Sequence, residues 1–163
     1  MAAVRTAAWA LYNLIRYFMA FNVYTSNTGQ AVSLALGTSA TLSLAFLMSA
    51  ALISVFRQYL LLHNFPLHSL LVARTILQWL LSFFLLAPAV VSFALVFAWK
   101  NSADSELRIR GRCFADIDAV WSVSKAQCRQ PSHWATWVVL SLLRLILTLV
   151  DLVSTFISSF LCV

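Results

Sequence analysis

Four long apolar stretches separated by shorter polar ones set the pattern of the chain: about 7–24, 31–56, 70–99 and 134–163. A helix rising 1.5 Å per residue needs roughly 20 residues to cross the hydrocarbon of a bilayer. The second stretch carries no charge at all. The third and fourth are long enough to tilt or to extend past the hydrocarbon. Pro88, deep inside the third, removes a backbone donor and predicts a kink there. The first stretch is short and carries Asn13 and Arg16 near its middle, so an amphipathic helix on the membrane surface competes with a spanning one. Its large apolar residues, Trp9, Leu11, Leu14, Ile15, Phe18, Met19 and Phe21, surround the helix axis instead of lining one stripe, which favours spanning. The pattern predicts an all-α integral membrane protein. Residues 1–163 form one transmembrane domain, a four-transmembrane-helix bundle with a polar loop over 100–132 between helices 3 and 4.

The connections agree with that reading. Residues 24–30 form a turn in which Asn27 and Gly29 can take left-handed conformations. Residues 57–69 form a second loop, with Pro66 just before the third helix. Trp79, Trp99, Trp134 and Trp137 supply interface anchors, because indole joins an apolar body to a polar N–H. Composition then narrows the class. Of 163 residues, 62% are hydrophobic and 10% charged, with mean hydropathy +0.88; a soluble domain carries roughly 25% charged residues. A separate soluble catalytic domain does not fit the length. In outline the chain resembles a generic tetraspan, similar to MARVEL-type proteins in topology alone, and that likeness implies no functional residue.

The net charge is +6, and no acid precedes Asp104. Basic residues at membrane edges meet lipid phosphates more readily than nucleic acid, each contributing about 1 kcal/mol near an anionic surface. Nucleic acid is therefore not expected as a partner. The sharper feature is charge inside the spans: Arg16, Arg74, Arg144 and Asp151. Each costs about 2.5–3.5 kcal/mol in hydrocarbon unless it snorkels, pairs or faces a polar cavity. Arg74 is close enough to a helix end to snorkel. Arg16 and Asp151 fall at a similar depth if both are measured from the N-terminal side, which predicts an Arg16–Asp151 pair with Arg74 as competitor. Arg144 lies seven residues before Asp151 and shares its helix face. Three arginines against one aspartate leave a positive surplus, pointing to an acidic partner or to anionic lipid. On the second helix Ser33, Gly37, Thr41, Ala45 and Ser49 recur every four residues, a small-residue lane suited to close helix approach.

The 100–132 loop holds Lys100, Arg108, Arg110, Arg112, Lys125 and Arg129. The alternation from Glu106 to Arg112 would place Arg108, Arg110 and Arg112 on one face of an extended segment. Asp116 would then cap a short helix carrying Ile117, Val120 and Trp121. Cys113 and Cys128 bracket a loop of about 15 residues, which suits a disulfide contributing about 3 kcal/mol. The two orientation rules disagree. The positive-inside rule puts this loop in the cytosol, whereas a disulfide puts it in the lumen or outside the cell; the latter is the orientation expected. A cleaved signal peptide is not expected, because Asn13 and Arg16 interrupt the apolar run.

Catalytic motifs are sparse. Asp116-Ile117-Asp118 spells D-x-D, a metal-holding pattern of sugar-nucleotide enzymes, but no nucleotide domain fits here. His63 and His68 lack the neighbours of a zinc site. No C-x-x-C, phosphate-binding glycine loop or H-E-x-x-H is present. The sequence thus leads to an expectation of no cofactor, no metal and no enzymatic activity. It suggests an accessory or regulatory subunit packing against a larger integral membrane protein, with an oligomeric channel or transporter using Arg16, Arg144 and Asp151 as the alternative. The secretory pathway or plasma membrane is favoured over the mitochondrial inner membrane.

Overall fold

A computed structural model describes residues 2–56, 59, 62–63, 66–122 and 132–161. Four long helices account for most of them: α1 Ala2–Val23, α2 Asn27–Val55, α3 Leu67–Ala98 and α4 Trp134–Leu161. Among the described residues there is no strand. Three of the helices, α2, α3 and α4, are long and apolar enough to cross a membrane. The chain is on that ground a membrane protein. The helix α1 is long enough as well but is diluted by Arg5, Thr6, Asn13, Arg16 and Asn22.

Each helix packs chiefly on its sequence neighbours, α1 on α2, α2 on α3 and α3 on α4, while a looser α1–α4 seam closes the ring. Between α1 and α2 the chain reverses in three residues. Ser26 caps α2, its hydroxyl accepting the Gly29 N–H at 3.3 Å, so one orphan donor of the helix start is satisfied. Gly29 is required here by space, because a Cβ would overlap the Tyr24 ring.

The face that α2 buries differs from the predicted lane. Ser33, Leu36, Gly37, Ala40, Ser43 and Leu47 are buried, whereas Thr41, Ala45 and Ser49 are exposed. Four residues turn an α-helix by about 400°, so a strict four-residue lane drifts roughly 40° per step and leaves the interface after two steps. Ser33 and Gly37 sit at the contact; at Gly37 the Phe18 ring of α1 comes within ordinary van der Waals distance of where a Cβ would be.

The helix α3 runs unbroken through Pro88, which is buried. A proline at 88 leaves the carbonyl of residue 84 without its usual helical donor. Ser39 of α2 fills the vacancy, its hydroxyl donating to the Phe84 oxygen at 2.9 Å. In hydrocarbon, where no water can serve, such a neighbour is what allows a proline inside a helix.

Among the described residues of the α3–α4 connection, one 3-10 turn, Ile109–Gly111, is the regular element. The connection nevertheless packs as a cap. Leu107, Ile109, Ala119, Val120 and Trp121 are buried in one cluster with Tyr17 and Tyr24 from the α1 end, Trp99, and Trp137 of α4. The extended Arg108–Arg112 face predicted from alternation is absent: Arg108 and Arg110 are exposed, while Arg112 turns inward and is 2% exposed. No helix follows Asp116 up to residue 122. The Asp118 carboxylate instead accepts the Val120 N–H at 2.7 Å, a turn closed by its own side chain.

Candidate functional site

The polar residues of the helices and the acids of the cap meet in one network. Arg144 projects from α4 into the centre of the bundle and is 1% exposed. There it forms an ion pair with Asp118 of the cap. Its Nη2 also donates to the Tyr17 hydroxyl at 2.8 Å and to Asn13 Oδ1 at 3.1 Å, both on α1. Tyr17 in turn donates to Asp118 Oδ2 at 2.8 Å. The spacing explains why α1 can do this, since residues 13 and 17 are one turn apart on one face. The Trp121 ring lies 4.3 Å from the Arg144 guanidinium carbon, close enough for a cation–π contact of about 2 kcal/mol in a desolvated setting. Helices α1 and α4 and the cap are thus joined through one arginine.

A second, more open pair sits beside it. Arg16 Nη2 donates to Asp116 Oδ2 at 2.7 Å, with about a third of each side chain exposed. The Arg16 guanidinium also lies against Tyr12 and Trp121, 5.9 and 5.3 Å from the ring centres. The two aspartates of the D-x-D sequence therefore each hold an arginine. Among the described residues no group of three or more His, Cys, Asp or Glu side chains converges on a point.

Arg16 does not pair with Asp151. Asp151 is held by residues near the start of α1, accepting from Arg5 Nε at 2.6 Å and from the Thr6 hydroxyl at 2.8 Å. The reason is register. Because α1 starts at Ala2, five residues before the apolar run, Arg5 and Thr6 are helical and lie level with Asp151. Arg16, seven residues from Val23, belongs to the opposite end, about 10 Å in. Arg74, half-buried near the start of α3, has no acidic partner among the described residues.

Arg112 organises the cap itself. It donates to the carbonyls of Glu106 and Leu107, each at 3.3 Å, to the Ser122 hydroxyl at 3.0 Å and to the Ala119 carbonyl. Trp99 and Trp137 stand 5.9 and 5.7 Å away. Burial pulls its pKa down, opposed by the adjacent Tyr24 hydroxyl and Glu106 carboxylate, and a guanidinium stays charged throughout. Glu106 clamps the cap to the α1–α2 turn: its carboxylate accepts the backbone N–H groups of Thr25 at 3.1 Å and Ser26 at 2.8 Å, and the Thr25 hydroxyl at 2.9 Å. Desolvation raises the Glu106 pKa, but these donors outweigh it and hold the carboxyl below its usual range. Cys113 is disulfide-bonded, and Cys128, its expected partner, lies outside the described residues.

Tyr17 belongs to no motif, and the patterns that contain Asp118 and Arg112 do not give the roles these residues have here, nor does the polarity of Asn13. The signal that could have found them is a charge balance: apart from Asp151, the acids available to the helix arginines all lie in the cap, Asp104, Glu106, Asp116 and Asp118. Those acids alternate with the apolar residues that anchor it. Among known proteins, no family model, no curated sequence and no solved structure matches the chain.

Proposed function

We propose that the chain is a non-enzymatic accessory subunit, spanning the membrane four times, that packs against a larger membrane protein complex and stabilises, localises or regulates it. A membrane-embedded lipid or glycan synthase is one candidate client. The observation carrying this reading is the closure of the charge network: Asn13, Tyr17, Asp118 and Arg144 are each at most 2% exposed. Turnover needs a route for substrate, whereas a sealed, internally paired cluster serves to fix helices. What such a body offers its surroundings is its outer apolar face, with Ile76, Trp79 and Phe83 of α3 and Ile146, Val150 and Val153 of α4 all exposed.

Helix α1 is the fourth span in this reading. Burial of Asn13 and Tyr17 and pairing of Arg16 remove the polar groups that argue for a surface position. The cap faces the lumen or the cell exterior, an orientation supported by the disulfide on Cys113, in the secretory pathway or plasma membrane. A channel using Arg16, Arg144 and Asp151 finds less support, because the three enter separate ion pairs with Asp116, Asp118 and Arg5. The test is purification in gentle detergent with mass spectrometry of co-purifying proteins. A stoichiometric membrane partner is expected, and a stable monomer purifying alone overturns the reading. Impermeant thiol reagents applied to single cysteines at 26 and 102 should label both from the luminal or extracellular side.

A further inference from the structure

The α1–α4 seam opens near the start of α1 into a groove of about 460 Å³ between Arg5, Ala8, Trp9 and Tyr12 on one side and Leu147, Val150 and Asp151 on the other. Its flanks, Leu11, Ile15, Leu143 and Ile146, are exposed and apolar, so it opens sideways towards lipid and its occupant comes from the bilayer. The floor is aromatic, with Trp9 and Tyr12 stacked at 5.9 Å and 27°. One end carries the Arg5–Asp151 ion pair.

At that end Arg5 is tied to Asp151 through Nε alone. Its side chain is 61% exposed, and among the described residues no partner takes its two Nη groups. A guanidinium fixed at one edge with four donors left over fits a phosphate. Asp151 already accepts from Arg5 at Oδ1 and from Thr6 at Oδ2 and is 8% exposed, so little of the carboxylate is left for a headgroup ammonium. The other four of the five acids in the chain lie in the cap, at the far end of the bundle. At this end of the bundle Arg5 and Arg74 stand against the single acid Asp151 among the described side chains, a surplus of one positive charge that favours an anion.

We infer that this groove binds an anionic phospholipid, its phosphate on the Arg5 Nη groups and one acyl chain lying over Ala8, Trp9 and Tyr12. The inference rests on α1 lying in the membrane and is independent of whether a protein partner is found.

The experiment uses the full-length protein in detergent, titrated with phosphatidylglycerol or phosphatidylcholine of the same acyl chains and read by native mass spectrometry. Wild type should retain phosphatidylglycerol over phosphatidylcholine. Arg5→Gln should weaken phosphatidylglycerol retention about fivefold, the effect of one basic group at an anionic surface. Ala8→Phe fills the groove while leaving the Arg5–Asp151 pair intact, and it should displace both lipids. Equal retention of the two lipids, or phosphatidylglycerol retention unchanged in both variants, overturns the site. Placement of α1 is read separately, by protection of Leu11→Cys from an impermeant maleimide in a Cys162→Ser background.

Discussion

Asp116 and Asp118 each hold an arginine, yet the two pairs differ in what surrounds them, and mutation should separate them. The Arg144–Asp118 pair is wholly buried, so Asp118→Asn leaves a buried guanidinium without its counter-charge, a loss of about 3–5 kcal/mol. Asp116→Asn acts on a pair a third exposed at each partner, where the effect should stay within about 1 kcal/mol. Thermal unfolding in detergent should thus show a large drop in Tm for the first and a small one for the second; equal shifts would refute the assignment. Replacing both members of the buried pair, Arg144→Met with Asp118→Leu, should recover part of the loss. The arginines of these pairs were legible in the sequence as charges out of place. Their partners were not, because Asp116 and Asp118 stand 100 and 26 residues away in a segment that reads as polar loop. Hydropathy reports where a charge is costly and says nothing about which distant acid relieves it.

At the scale of the element, Ser39 and Pro88 form a testable couple. Ser39→Ala leaves the Phe84 carbonyl without a donor and should destabilise by about 1–3 kcal/mol. In a Pro88→Ala background the Phe84 oxygen regains its helical N–H, and the same serine substitution should then be nearly silent. A double-mutant cycle on thermal stability measures the coupling, and additive effects would remove the proposed role of Ser39. The two helical glycines of α2 should also differ. Gly29→Ala drives a methyl into the Tyr24 ring, an overpacking worth about 1–3 kcal/mol, whereas Gly37→Ala only touches Phe18. Existence and order of the helices were readable from length and apolar content. The start of α1 was not, because Arg5 and Thr6 look like flanking polar residues until Asp151 is seen to hold them. Of the lane on α2, Ser33 and Gly37 enter the contact within the bundle, while Thr41, Ala45 and Ser49 face outward.

For the whole molecule, the cap is held at three points: Glu106 on the α1–α2 turn, Asp116 on Arg16 and Asp118 on Arg144. The first has a defined response to pH. The folded-state pKa of Glu106 lies below its ordinary value of 4.5, so its contribution is complete above that value. It is lost as pH falls through the lower, folded one. Protection against hydrogen exchange at the α1–α2 turn, corrected for the intrinsic rate at each pH, should therefore fall on acidification through that range. Glu106→Gln should exchange faster at neutral pH and respond less to acid. An acid response identical to wild type would show that the clamp lies elsewhere.

Both helix arginines of the network are paired by a segment made at a different time. Arg16 precedes Asp116 by 100 residues, an interval of roughly 5–20 s at synthesis rates of about 5–20 residues per second. During that interval the newborn first helix carries an unanswered cation, and it is answered only when the segment after α3 has emerged and docked. Arg144 meets the reverse order, arriving after its acid. Chains arrested before Asp116 should accordingly be held by the insertion machinery or degraded, while chains arrested after the cap should be retained in the membrane. On the proposed four-span reading, the cap would act as a completion signal, read through the solvation of one arginine.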